Sequence, residues 1–97
     1  MIVPTNGRVV LYHPGKYDTI KQHDKSKPLA ATVAHVWGPR MVNLSVVDSD
    51  GVPHPRTSIV LLQDDDPAPS GSYAEWMPFQ KGQAARTAEL EQKLTGQ

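Results

Sequence analysis

The sequence predicts a mainly β protein: a small five-stranded barrel or strongly bent antiparallel sheet, followed by a C-terminal α-helix. Three observations lead there. Residues 29–62 hold three consecutive stretches in which apolar and polar residues alternate, the period of a half-buried strand. Turn-forming residues separate them, Gly38-Pro39-Arg40 after the first and Ser49-Asp50-Gly51 after the second. From Phe79 onward the composition changes to Ala, Glu, Gln and Lys, all good helix formers.

In chain order, Asn6-Gly7 is a turn signal and residues 8–13 follow as a short strand. Val9 and Leu11 share one face, Val10 and Tyr12 the other, and the run is too short to say which pair faces inward. Pro14-Gly15 ends it. Residues 16–28 read as a polar loop in which only Tyr17 and Ile20 can act as anchors.

Residues 29–37 form the second strand. Val33 and Val36 cannot both face inward in a regular strand, so a bulge is expected near Ala34-His35. Residues 41–48 form the third, with Val42, Leu44 and Val46 on the core face and Asn43 and Ser45 opposite. Residues 57–62 form the fourth, with Ile59 and Leu61 sharing a face. Residues 52–56 carry two prolines, each without a backbone donor, and are expected to be a stiff connection rather than strand.

An acidic, proline-rich crossing spans residues 63–71. A last short strand follows within 72–78. Tyr73 and Trp76 are three apart, which is not strand period, so one is expected inward and the other on the rim.

Residues 80–94 read as helix, with Pro78 near its start and Gly96 near its end. Its apolar stripe is thin: Ala84, Ala88, Leu90 and Leu94, with Phe79 at the base. A helix of about 15 residues is marginal alone in water. The helix is therefore expected either to dock loosely on its own barrel or to need a partner, and the second is the prediction, with these four residues contacting a partner or a second copy. The division is a barrel over residues 1–78 and a helical tail over 79–97.

Ten basic residues balance ten acidic ones in a chain of 97. Without net positive charge there is no general attraction to phosphate, which weighs against a nonspecific nucleic-acid binder. There is no cysteine, hence no disulfide and no thiolate zinc site, and the compartment stays open. The start of the chain lacks the pattern of a signal peptide, and no apolar run approaches the roughly 20 residues that span a bilayer. The expectation is a soluble protein of the host cytoplasm or a virion.

Five segments together carry a resemblance: 7–12 (GRVVLY), 30–37 (AATVAHVW), 42–46 (VNLSV), 56–60 (RTSIV) and 71–78 (GSYAEWMP). Their layout resembles a group of small proteins encoded by tailed bacteriophages and prophages, over about residues 7–78. The resemblance implies a small Src-homology-three-like β-barrel and no assigned activity. This chain departs from the group's pattern where Tyr73-Ala74-Glu75-Trp76 replaces a doubled tryptophan, and in its appended tail.

No catalytic motif stands out. There is no Gly-x-Ser-x-Gly elbow and no phosphate-cradling glycine loop. His13, His23, His35 and His54 form no pair at metal-ligand spacing, and Asp64-Asp65-Asp66 lacks the glycine and distal glutamate of a calcium loop. No cofactor, no metal and no enzyme activity are expected.

Aromatics on a barrel rim can bind peptides or stack on bases. The candidate binding set is Tyr17, Lys21, Lys25, Lys27, Trp37, Arg40, Tyr73 and Trp76. The expected function is that of a non-enzymatic phage accessory protein. It would bind another protein, either as a virion component or against a host factor. A second copy of the chain, giving a homo-oligomer, is among the partners this reading includes. The alternative is a nucleic-acid or nucleotide-binding module built on the loop lysines and rim aromatics.

Overall fold

The computed structural model describes residues 1–64 and 66–83. The chain is mainly β, a closed five-stranded barrel followed by a short C-terminal helical segment that is described over residues 78–83. The strands are β1 (Val9–His13), β2 (Leu29–Gly38), β3 (Met41–Val47), β4 (Pro53–Leu62) and β5 (Tyr73–Trp76). Neighbours along the chain are neighbours in the barrel, and β5 closes it. It lies antiparallel to β1, with Val10 opposite Trp76, and parallel to β4, with Val60 opposite Tyr73. This architecture is consistent with a small Src-homology-three-like barrel. Among the described residues no helix is long and apolar enough to cross a membrane.

The period-2 pattern fills the barrel as the alternation demands. Val42, Leu44 and Val46 of β3 are buried, as are Ile59 and Leu61 of β4 and Ala31 and Val33 of β2. In β1 the inward pair is Val10 and Tyr12. The expected bulge exists: the β2–β3 register shifts between Val33 and His35, and again between Val36 and Gly38. The first shift lets Val36 pack against the core that Val33 already occupies. Bulges add the twist that closing so few strands requires.

Residues 52–56 are not a connection, because β4 starts at Pro53. Pro53 lies opposite Val47 and Pro55 opposite Ser45. The prolines are two residues apart, so their ring nitrogens share one edge of the strand. β5 meets β4 over Val60, Leu61 and Leu62, so among the described residues the first half of β4 has no second neighbour strand. Prolines are tolerated on such an edge, and there they block the addition of a foreign strand.

A buried amide closes one end of the barrel. Gln63 is buried and uses both ends of its side chain. Its Oε1 accepts from the Ile2 N–H at 3.1 Å and from Trp76 Nε1 at 3.2 Å. Its Nε2 donates to the carbonyls of Ile2 and Pro39 at 2.7 and 2.8 Å. One side chain thus ties the N-terminal segment, the β2–β3 hairpin and β5 together.

Candidate functional site

The long loop between β1 and β2 is held at several points. Asp18 accepts Arg56 through Nε to Oδ2 at 3.0 Å and Nη2 to Oδ1 at 2.8 Å. It also accepts the Tyr12 hydroxyl at 2.5 Å and the Ile20 N–H at 3.0 Å. The hydrogen bonds from Arg56 outweigh burial and hold the Asp18 carboxyl well below the usual carboxylate range. Burial, then the bond to Asp18, pushes the Tyr12 hydroxyl up. Ile20 beside it is buried in the core.

Further along, Lys21 Nζ sits 2.6 Å from Asp50 Oδ2, and His23 Nε2 lies 2.9 Å from Asp50 Oδ1. The His23 N–H donates to Ser49 Oγ at 2.9 Å. The β3–β4 turn that receives the loop is organised by Asp48. Its Oδ1 accepts the N–H groups of Asp50 and Val52, and its Oδ2 lies 2.8 Å from His54 Nε2. At the other root of the loop, the Gly15 N–H donates to Ser72 Oγ at 2.8 Å. A Cβ at Gly15 would stand 3.0 Å from Ser72 N and Oγ, so any larger residue would have to push Ser72 back by a few tenths of an ångström.

Tyr17 stands 86% exposed beside this junction, with Lys16 Nζ 5.0 Å from its ring centroid. A groove of about 400 Å³, lined by Gly15, Lys16, Tyr17, Asp18 and residues 70–72, opens next to it.

Trp37 occupies the opposite end of β2. Tyr12 pairs with Leu29 at the first end of that strand, and Trp37 lies eight residues further on. That is roughly 25 Å at about 3.3 Å per residue. Trp37 is 62% exposed, yet it is fixed. Its Nε1 donates to Asn43 Oδ1 at 2.8 Å. His35 meets it edge-on, with centroids 4.5 Å apart and planes at 75°. Asn43 Oδ1 also accepts the Ser58 N–H at 2.8 Å. Ser58 has a φ of 54°, where the β3–β4 register shifts.

The sequence-derived set is therefore not one site. Tyr17 is free at one end and Trp37 at the other. Trp76 is 1% exposed and belongs to the core, so of the two spaced aromatics it is the inward one. Tyr73 is half-buried and stacks on His13, centroids 4.5 Å apart. His13 Nε2 lies 2.6 Å from Glu75 Oε2 but out of line for a hydrogen bond. Lys21 is paired with Asp50, and Arg40 Nε donates to Asp66 Oδ2 at 2.8 Å. Lys25 and Lys27 are exposed on the loop. Ala84, Ala88, Leu90 and Leu94 lie outside the described residues.

Asn43, His35 and Ser58 were not in the set, although Asn43 and His35 face each other across the β2–β3 ladder. The available signal was a polar Asn facing outward on the strand paired with the Trp-bearing one. Among the described residues no group of three His, Asp or Glu side chains could hold a metal ion.

A second exposed strip lies where the helical segment meets β1. Gln80 Nε2 donates to the Val9 carbonyl at 3.1 Å, which seats the helix start on that strand. Val9 is 40% and Phe79 71% exposed. Arg8, Glu75 and Lys81 flank them, with Lys81 Nζ 3.4 Å from Glu75 Oε1.

No protein-family model matches the chain, no curated protein matches its sequence, and no solved structure matches it.

Proposed function

We propose that this barrel is a non-enzymatic accessory protein that acts by binding another protein. On the resemblance of residues 7–78, its setting is a tailed phage. The observation that carries the reading is the strip around Phe79 and Val9. Two exposed apolar side chains sit on elements joined by the Gln80–Val9 hydrogen bond, and Arg8, Glu75 and Lys81 lie on the same elements or next to them in the chain. Protein interfaces have this anatomy, an apolar centre free of charge and a polar rim that stays wet.

The partner is a phage structural protein or a host factor, and site-specific photo-crosslinking decides whether it exists. A photoreactive phenylalanine analogue at position 79 is expected to give one discrete protein adduct during phage growth. The same analogue at exposed Lys25 should give none. A smear or no adduct from position 79 would overturn the reading.

A further inference from the structure

We infer that the Trp37 face is a binding site for a neutral saccharide, separate from the protein-binding strip. The inference starts from charge. In β2, β3 and β4 together, Arg56 is the single formally charged residue. It does not serve the outer surface, because it is spent on Asp18. Among the described residues, the strands on either side of Trp37 therefore present no lysine or carboxylate, and the charge nearest to it in the chain, Arg40 of the β2–β3 turn, is paired with Asp66. In a chain that is 21% charged, a large uncharged polar face has to be explained.

The indole is placed to stack. Its N–H is already used by Asn43, so the ring offers a ligand only its π-face and edges. That face is electron-rich and attracts polarised C–H groups, such as those on one side of a pyranose ring. Because Asn43 and His35 already fix the ring, little freedom is lost when a ligand settles on it.

The groups around the ring match hydroxyls. Both acceptor positions of Asn43 Oδ1 are filled, by Trp37 and Ser58, which leaves its Nδ2 as a donor. Among the described residues, Asn43 Nδ2, Ser58 Oγ, Thr57 Oγ1 and the His35 ring make no side-chain hydrogen bond. The amide gives hydrogen bonds, and the two hydroxyls and the imidazole both give and take them, as sugar hydroxyls do. A nucleic acid would stack on the same ring, but among the described residues these strands offer its phosphates no free cation, and Arg40 of the adjoining turn is already held by Asp66. A protein surface would bring charged rim residues to strands whose one charged side chain, Arg56, is already held by Asp18.

The test is a titration of the full-length chain followed by ¹⁵N–¹H NMR. The probes are neutral oligosaccharides of glucose, galactose, mannose, rhamnose, N-acetylglucosamine and N-acetylgalactosamine, with oligothymidylate and an anionic uronic-acid oligosaccharide beside them. At least one neutral sugar is expected to shift the Trp37 indole, the Asn43 side-chain amide and the Ser58 amide together, with a Kd of about 1 mM or tighter. Trp37→Ala should weaken it at least ~10-fold while the melt is kept, since the ring is exposed. Asn43→Asp keeps the acceptor for Trp37 and Ser58 and should also weaken it. The inference is overturned if no neutral sugar shifts these signals. It is equally overturned if binding survives Trp37→Ala, or if oligothymidylate or the anionic sugar binds more tightly. Crosslinking at Phe79 is independent of all these outcomes.

Discussion

Arg56 grips Asp18 with two nitrogens, across 38 residues of chain, and so clamps the long loop onto the strand that carries the two prolines. Asp18 also takes the Tyr12 hydroxyl. Tyr12 is buried in the barrel, so loop, core and β4 meet at one carboxylate. Arg56→Ala leaves that carboxylate short of two charge-assisted bonds. It is expected to cost about 2–3 kcal/mol in urea unfolding.

The same contact gives a pH dependence. Asp18 has its folded pKa depressed, by the Arg56 hydrogen bonds first. The unfolded chain therefore binds a proton more readily than the folded one, and stability falls as pH falls. The contribution is full above the ordinary aspartate range. It is lost progressively as pH drops through that range toward the depressed value. Asp48, Asp50 and Asp66 are shifted the same way, chiefly by His54, Lys21 and Arg40 respectively. Asp18→Asn should lower stability at pH 7 and flatten the acid limb of the stability curve. An unchanged acid limb would remove Asp18 from this role.

Gln63→Ala should be among the most damaging polar substitutions. It leaves Trp76 Nε1 and the Pro39 carbonyl without their partner and releases Ile2. The expected cost is about 3 kcal/mol, at the upper end for an unsatisfied buried group. The fluorescence of Trp76 should also change, because its N–H loses its acceptor.

Leu44→Asp is expected to unfold the chain. Leu44 is buried in the centre of β3. An unpaired charge there costs several kcal/mol, against a total stability of about 5–15 kcal/mol for a domain. A cooperative melt near the parent temperature would contradict the core assignment.

Nucleic-acid affinity should be weak at physiological salt. The formal charge is zero, and Lys21 and Arg40 are already paired with Asp50 and Asp66. Anisotropy titrations of DNA and RNA are expected to show no submicromolar binding. If such binding appears and is lost when Lys25 and Lys27 become Glu, the loop is a nucleic-acid site.

Much of the fold was legible because strand periodicity is a local signal. The alternations at Val42, Leu44, Val46 and at Ile59, Leu61 set their inward faces, and the clash of Val33 with Val36 located the bulge. The start of β4 was misjudged for a physical reason. Prolines exclude a strand only where both edges are paired, and nothing local shows that β5 leaves the first half of β4 open. Trp37 could be picked out as an aromatic, but not as a fixed one. Its partner Asn43 is set by a bulged hairpin register that the sequence shows only approximately. The loop clamp at Asp18 and Arg56, and the Gln63 knot, join residues far apart in the chain. No periodicity encodes them.

A saccharide site at Trp37 requires the barrel to be a rigid mount that displays this ring exposed but immobile. ¹⁵N relaxation of the two indole N–H groups tests it directly, with buried Trp76 as the internal standard. The account predicts an order parameter for Trp37 Nε1–H close to that of Trp76, about 0.85, falling when Asn43 is replaced by Ala. A Trp37 value below about 0.6 in the unmodified chain, beside an ordered Trp76, would contradict it.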